Sequence, residues 1–69
     1  MEEIFLRDEF IKLGQAIKAA GLVESGVEAK IVIQDGEVKV NAKVKTQRGK
    51  KLFGGEVVEY NGSSILINK

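Results

Sequence analysis

The chain has 69 residues, of which 43% are hydrophobic and 30% are charged, and its formal net charge is only +1. A chain of this length forms one domain with a small core, and its composition is that of a globular protein. The absence of cysteine excludes disulfides and thiolate metal sites, and no metal or cofactor is expected.

The chain also lacks histidine, so the ordinary general base near neutral pH is missing. The Ser63-Ser64 pair and the carboxylates of Glu56 and Glu59 are predicted to be turn and strand-surface residues, because nothing makes them converge. We therefore predict no catalytic residues and no enzyme activity. The N-terminus does not resemble a signal peptide, and no apolar run approaches the length needed to span a bilayer. A cytoplasmic, soluble protein is expected.

The first predicted elements are a short strand and a helix. Residues 2–7 alternate in character, which indicates the strand. Asp8 can cap the helix that follows, because its carboxylate accepts from free N–H groups at a helix start. The helix has an apolar stripe at three- and four-residue steps: Phe10, Leu13, Ile17 and Ala20. Gly14 suggests close packing of another backbone, and Gly21 is the predicted stop.

A second helix begins at a capping box, in which Ser25 and Glu28 are expected to satisfy each other's backbone N–H groups. Its predicted apolar face comprises Val27, Ala29, Ile31, Val32 and Ile33. Gly36 ends the helix, because glycine readily takes the left-handed conformation that follows a helix end. The linker between the helices is short, so the two helices should form a compact helix-turn-helix-like pair.

After Gly36 the hydrophobic period changes from helical to alternating. Val38, Val40, Ala42 and Val44 are predicted to face the core, with Lys39, Asn41, Lys43 and Lys45 on the opposite face, in one bent strand or a hairpin. Residues 46–55 are predicted to be a loop. Two strands follow, joined at Asn61-Gly62, a strong hairpin signal. The expected fold is α+β over residues 1–69: a helix pair on a small, mostly antiparallel sheet, in the order β-α-α-β-β-β.

Charge is distributed unevenly along this fold. Residues 39–51 hold six basic side chains and no acidic one, whereas the other residues hold five basic and ten acidic side chains. Such a division is typical of proteins with a polyanionic partner. A lysine-rich strand can also serve only to keep a sheet edge from aggregating. Charge alone leaves both interpretations open.

An ordered series of short motifs resembles a known family. The series comprises Lys12-Leu13, Gly21-Leu22, Ser25 with Glu28-Ala29, Ile31–Ile33, Gly36, Val38–Asn41 and the later GGEVVEY. It resembles the S4-type RNA-binding domain, named for a ribosomal protein, and is most similar to short, stand-alone bacterial members. The resemblance implies an αL motif, the helix pair that binds structured RNA together with the strand and loop that follow. Gly26-Val27 departs from the arginines that many members carry there.

The resemblance and the basic segment together predict a non-enzymatic module that recognises ribosomal or transfer RNA through phosphate and shape contacts, in translation or ribosome assembly. No membrane partner and no small-molecule substrate is expected, and the oligomeric state is not indicated. The predicted RNA contacts are Lys12, Lys30, Lys39, Lys43, Lys45, Arg48, Lys50 and Lys51. Arg48 is the strongest of them, because a guanidinium binds phosphate bidentately and Gly49 permits close approach.

Lys18 could extend the basic surface from the first helix, but it is expected to be an ordinary solvated helix residue. Phe53 and Tyr60 are expected to pack in the core or in turns, although either ring could stack on a base. An acidic protein is the alternative partner to RNA, and a module separated from an enzyme is a further alternative.

Overall fold

Two short helices cover one face of a five-stranded sheet, and a separate two-stranded ribbon lies beside the helices. The computed structural model describes residues 1–69. Its elements in chain order are β1 (Glu2–Phe5), β2 (Ile11–Lys12), α1 (Leu13–Ala19), α2 (Gly26–Gln34), β3 (Val38–Val40), β4 (Lys43–Val44), β5 (Lys51–Leu52), β6 (Val57–Tyr60) and β7 (Ser63–Asn68). Neither helix is long and apolar enough to cross a membrane.

The main sheet has the strand order β1-β7-β6-β3-β4. The β1 strand runs parallel to β7, and the other neighbouring strands are antiparallel. This arrangement confirms the predicted α+β class with a helix pair on a mostly antiparallel sheet. The ribbon formed by β2 and β5 was not predicted.

A single core lies between the helices and the sheet. The helices contribute six buried side chains: Leu13, Ala16, Ile17, Ala29, Val32 and Ile33. The sheet contributes alternate residues of its strands: Val38, Val40, Val58, Ile65 and Ile67. Leu52 of the ribbon is also fully buried, and Tyr60 packs against the edge of the cluster. The packing predicted for Tyr60 is therefore confirmed.

Helix α1 begins later than the sequence suggests, and the prediction that Asp8 caps it is wrong. Lys12 is the N-cap residue, and Phe10 lies before β2 rather than in the helix. The backbone N–H groups of Leu13 and Gly14 donate to the carbonyls of Lys50 and Arg48, at 2.8 and 2.9 Å. Distant backbone carbonyls, rather than a local carboxylate, thus satisfy donors that a helix start leaves unpaired.

Helix α2 starts and ends as predicted, with one difference in its cap. The Ser25 hydroxyl accepts from the Glu28 N–H at 3.1 Å, but the Glu28 carboxylate accepts from the Glu24 N–H at 2.7 Å. Gly36 follows the helix with φ +77°, as expected for a glycine stop. Two residues of the predicted apolar face are instead exposed: Val27 at 70% and Ile31 at 53%. The buried face of α2 is therefore narrower than predicted.

The lysine-rich strand is a hairpin, and its lysines do not form the single outer ladder that was predicted. Asn41 and Ala42 form a two-residue turn with φ 51° and 69°, and Lys39 pairs with Val44, whereas Val40 pairs with Lys43. Directly paired residues lie on the same face of a sheet. Lys43 therefore lies on the face of buried Val40, and Lys39 lies on the opposite face.

The predicted core positions beyond the turn are wrong for the same reason. Ala42 is exposed at the turn, and Val44 is 51% exposed on the edge strand. The turn reverses the chain, so alternation does not continue through it. The hairpin predicted at Asn61-Gly62 is confirmed, with φ 50° and 80° and Tyr60 paired with Ser63.

Candidate functional site

A cleft of about 320 Å³ opens where the starts of α1 and α2 meet the turn that contains Arg48. It is lined by Lys12, Gly14, Gln15, Lys18, Gly26, Ala29, Arg48 and Gly49. Three of these side chains are cationic and none is acidic. Three others are glycines, which leave the backbone open to a ligand. We refer to this site as the basic cleft.

Gly14 brings Arg48 against the helix pair. A Cβ atom at Gly14 would lie 3.4 Å from the Arg48 Cβ and 3.5 Å from the Arg48 carbonyl oxygen. It would also lie 3.9 Å from the Ala29 Cβ on α2. The predicted close approach of another backbone at Gly14 is therefore confirmed. The approaching segment is the loop between β4 and β5, which contains Arg48. The absence of a side chain at Gly14 therefore lets Arg48 lie against the helix pair.

The opening of α2 leaves room in the basic cleft. A Cβ atom at Gly26 would meet nothing within 4 Å, and the φ of Gly26 is one that any residue can adopt. A side chain at this position, such as the arginine of many S4-type domains, would therefore leave the backbone without a clash at its Cβ atom. In this chain the cations come from the end of β2, from α1 and from the loop after β4, and α2 contributes only small residues to the lining.

The positively charged surface continues from the cleft onto the ribbon of β2 and β5. Lys12 pairs with Lys51, and Ile11 pairs with the buried Leu52. Both lysines are exposed and lie on the same face of the ribbon. The Lys51 ammonium lies over the Phe10 ring, 4.7 Å from its centroid. Lys12 thus belongs both to the cleft and to the ribbon.

A fixed turn follows the ribbon. The Glu56 carboxylate accepts from the N–H groups of Phe53 and Gly54, at 2.8 and 2.7 Å. Partial burial raises the pKa of Glu56, but these backbone donors and the positive charge of Lys50 outweigh the burial. The net pKa is therefore below the ordinary value for glutamate. Gly54 and Gly55 both have positive φ, as the predicted turn into the next strand requires.

The structure separates the eight predicted contact residues into groups. Lys12 and Arg48 line the basic cleft, with Lys51 adjacent on the ribbon. Lys45 and Lys50 line a shallow groove of about 270 Å³ in the loop that leads to Arg48. The others lie outside both places: Lys30, Lys39 and Lys43. Among these, Lys39 pairs with Glu59, so an acidic side chain stands directly beside it.

Two features of the candidate site were not predicted. Lys18 lines the basic cleft, although it was expected to be an ordinary solvated residue. Its spacing of four from Gly14 places both on one helix face and is the signal that could have identified it. The ribbon also has a signal: the sequence FIK at residues 10–12 is matched in reverse by KLF at residues 51–53. Antiparallel pairing aligns like residues in these two segments.

Comparison with known proteins agrees with this architecture. The chain matches the S4 domain family over residues 4–68. It is 42% identical over 59 residues to a probable ribosome maturation protein, RlbA, of Bacillus subtilis, covering 86% of this chain and 83% of that protein. It is 37% identical over 57 residues to YbcJ of Escherichia coli, a putative RNA-binding protein, covering 83% of this chain and 81% of YbcJ.

The fold has a solved counterpart. The solution structure of E. coli YbcJ, described as revealing an αL motif involved in RNA binding, superimposes with a TM-score of 0.76 and 33% identity. The superposition covers 100% of this chain and 89% of that one. The matches also confirm the prediction of a non-enzymatic module. The chain therefore belongs to the S4 domain family.

Proposed function

We propose that this protein is a single-domain, non-enzymatic module that binds structured RNA, either ribosomal or transfer RNA. The observation that carries the proposal is the basic cleft, where Lys12, Lys18 and Arg48 converge with no acidic side chain in the lining. A site with that charge and with glycine-lined walls suits a phosphodiester backbone.

The proposed mechanism is recognition of phosphate positions and helical shape. The Arg48 guanidinium binds one phosphate bidentately, and Lys12 and Lys18 neutralise its neighbours. Lys51 extends the contact along the ribbon, on the same face as Lys12. Double-stranded RNA is read mainly through its shape and backbone. A rigid set of cations at fixed spacing can therefore select folded RNA without reading its sequence.

The other predicted contacts have graded roles in this proposal. Lys45 and Lys50 extend the phosphate surface along the loop before and after Arg48, because both line the same groove. Lys30, Lys39 and Lys43 are exposed but lie outside the basic cleft, so they contribute mainly to long-range attraction. The acidic side chains elsewhere in the chain oppose binding in other orientations.

The proposed process is ribosome assembly or translation, in the cytoplasm. The support is the similarity to a protein named for ribosome maturation, of which the chain covers 83%. Crosslinking in cells, followed by sequencing of the attached RNA, tests this part of the proposal. Enrichment of ribosomal RNA precursors or transfer RNA is expected, and recovery of no enriched RNA would favour the acidic protein partner instead.

Salt dependence tests the phosphate mechanism directly. If Lys12, Lys18, Arg48 and Lys51 each neutralise one phosphate, log affinity for an RNA duplex should fall with log salt at a slope of about −3.6, taking about −0.9 per phosphate from B-DNA. Fluorescence anisotropy with a labelled RNA stem at several salt concentrations measures this slope. A flat response would contradict the mechanism.

A further inference from the structure

Next to the basic cleft, the ribbon carries a pair of phenylalanines on its exposed side. Lys12 pairs with Lys51 and Ile11 with Leu52, and the same register continued by one residue beyond Ile11 and Leu52 places Phe10 opposite Phe53. Their ring centroids are 5.9 Å apart, with the ring planes tilted by 55°. Side chains alternate along a strand, so both rings lie on the face that holds the two lysines. The buried Leu52 points the other way.

The two rings have different surroundings. Phe10 is half-buried, and the Lys51 ammonium covers one of its faces at 4.7 Å. Phe53 remains 46% exposed. This exposure leaves part of the apolar ring in contact with water, where a flat partner could cover it. Phe10 and Lys51 therefore act as supports, and Phe53 presents a free aromatic surface.

Hydrogen bonds and core packing fix the backbone on both sides of Phe53. The Phe53 N–H donates to the Glu56 carboxylate at 2.8 Å, and the Gly54 N–H donates to the same carboxylate at 2.7 Å. The preceding residue, Leu52, is fully buried in the core. With this backbone fixed and the Phe10 ring packed against it, the Phe53 side chain loses less conformational freedom when a ligand binds to it.

We propose that Phe53, supported by Phe10, is a stacking platform for one unpaired nucleobase of the bound RNA. Base stacking on an aromatic side chain tolerates any base, and it is favoured where cations hold the adjacent phosphates. Lys12 joins the two sites, because it lines the basic cleft and pairs with Lys51 on the ribbon. The preferred ligand is therefore a paired RNA stem with an adjoining loop, bulge or single-stranded end.

This inference rests on the proposed function, so its test uses two RNA probes. One is a stem closed by a loop of unpaired adenines, and the other is the same stem as a blunt, fully paired duplex. Wild-type protein should bind the looped probe more tightly. Phe53→Ala should weaken binding to the looped probe roughly 5- to 150-fold, the range for one stacked base, and should leave binding to the duplex unchanged.

Two further variants complete the design. Phe53→Leu retains the apolar packing against Phe10 but has no aromatic face, so it should lose affinity for the looped probe as well. If Phe53→Ala does not fold, Phe53→Leu still tests whether the ring stacks on a base. Phe5→Ala removes a phenylalanine that is 66% exposed on β1, in the main sheet. It should leave binding to both probes unchanged. A 2-aminopurine in the loop should lose fluorescence on binding to wild-type protein and not to Phe53→Leu.

The possible outcomes separate the two proposals. Equal loss on both probes for Phe53→Ala, or full affinity of Phe53→Leu for the looped probe, would overturn the stacking platform while RNA binding stands. No preference of the wild type for the looped probe would overturn it too. If the wild type binds neither probe, the proposed RNA-binding function itself fails.

Discussion

The basic segment of this protein has two halves that are alike in sequence and different in structure. Lys39, Lys43 and Lys45 lie on or beside the β3–β4 hairpin, and Arg48, Lys50 and Lys51 lie in the following loop and β5. Each half carries three positive charges. The two-residue turn places Lys39 and Lys43 on opposite faces, with Glu59 beside Lys39. Arg48 and Lys51 instead join Lys12 and Lys18 on one surface.

The difference shows that strand register and tertiary pairing, rather than spacing in the sequence, determine whether positive side chains gather on one surface. Alternation through a strand would give three lysines on one side. A tight turn halfway along divides them, because it pairs residues that the alternation had placed on opposite faces. The positive charges of the loop half lie close together because the backbone carbonyls of Arg48 and Lys50 accept hydrogen bonds from the start of α1. Its cations then stand next to those of the helix.

The strongest test of this comparison removes two charges from each half. Arg48→Ala with Lys51→Ala should weaken RNA binding roughly 10- to 100-fold, because charge-assisted hydrogen bonds to phosphate are lost. Lys39→Ala with Lys43→Ala removes the same charge from the hairpin and should cost only a few-fold. Affinities for a labelled RNA stem at constant salt give the ratio. Equal losses would mean that the total charge, and not the basic cleft, determines affinity.

The second test adds a positive charge to the basic cleft instead of removing one. Gly26→Arg adds a cation where a Cβ atom would meet nothing within 4 Å. One further phosphate contact should raise affinity for the same RNA by up to about tenfold. Gln34→Arg adds the same charge at the other end of α2 and serves as the matched control. An equal gain from both variants would contradict a local contact in the cleft.

The third test concerns the hairpin half as a structural element. Ala42 has φ 69°, a conformation that costs a residue with a side chain about 1 kcal/mol. Ala42→Gly should therefore raise the melting temperature by roughly 4–8 °C and leave RNA affinity unchanged. Gly62→Ala makes the opposite change in the β6–β7 turn, at φ 80°, and should lower the melting temperature. A change in RNA affinity with Ala42→Gly would place the hairpin in the binding surface.

The smallest expected effect is a pH dependence of stability that arises from Glu56, in the turn that follows β5. The pKa of Glu56 is lowered in the folded protein, so its carboxylate contributes stability above the unfolded value of about 4.5. That contribution is lost as the pH falls below 4.5 through the folded pKa. Glu56→Gln should flatten this part of the stability curve, measured by thermal unfolding between pH 7 and pH 3. Glu59→Gln, on the exposed face of β6, is the matched control, and an identical flattening there would contradict the assignment.

Local chemistry accounts for the parts of the fold that could be predicted. The Ser25 hydroxyl caps α2, Gly36 ends it, and Asn61-Gly62 makes the last hairpin. In each case the signal and its consequence lie within a few residues. The α+β class follows from these boundaries, because they separate the helical period from the alternating one.

The parts that could not be predicted depend on residues distant in the chain. Asp8 is a suitable cap in isolation, but the pairing of Ile11 with Leu52 extends the chain past it. The start of α1 then meets the carbonyls of a loop more than thirty residues away. Each ribbon strand is two residues long, too short for alternation to show. Only the reversed match of FIK and KLF could have indicated the pairing.

The charge of the candidate site could be predicted from the sequence, but only part of its membership could. Counting charges identified the basic segment, and the family resemblance added Lys12. The place of Lys18 depends on where α1 begins and on what lies opposite it, and both are set by the ribbon. The exposure of Phe53 likewise follows from pairing, because Leu52 takes the buried position next to it.

The hydrogen bonds from Leu13 and Gly14 to the Lys50 and Arg48 carbonyls have a consequence for binding thermodynamics. A loop that is mobile in the free protein loses entropy when RNA orders it, and this loss lowers affinity. Here the loop cannot leave α1 without exposing two unpaired backbone donors at the start of the helix. The cost of ordering the backbone at Arg48 is therefore met during folding, and under the proposed function an RNA would meet a loop that is already in place.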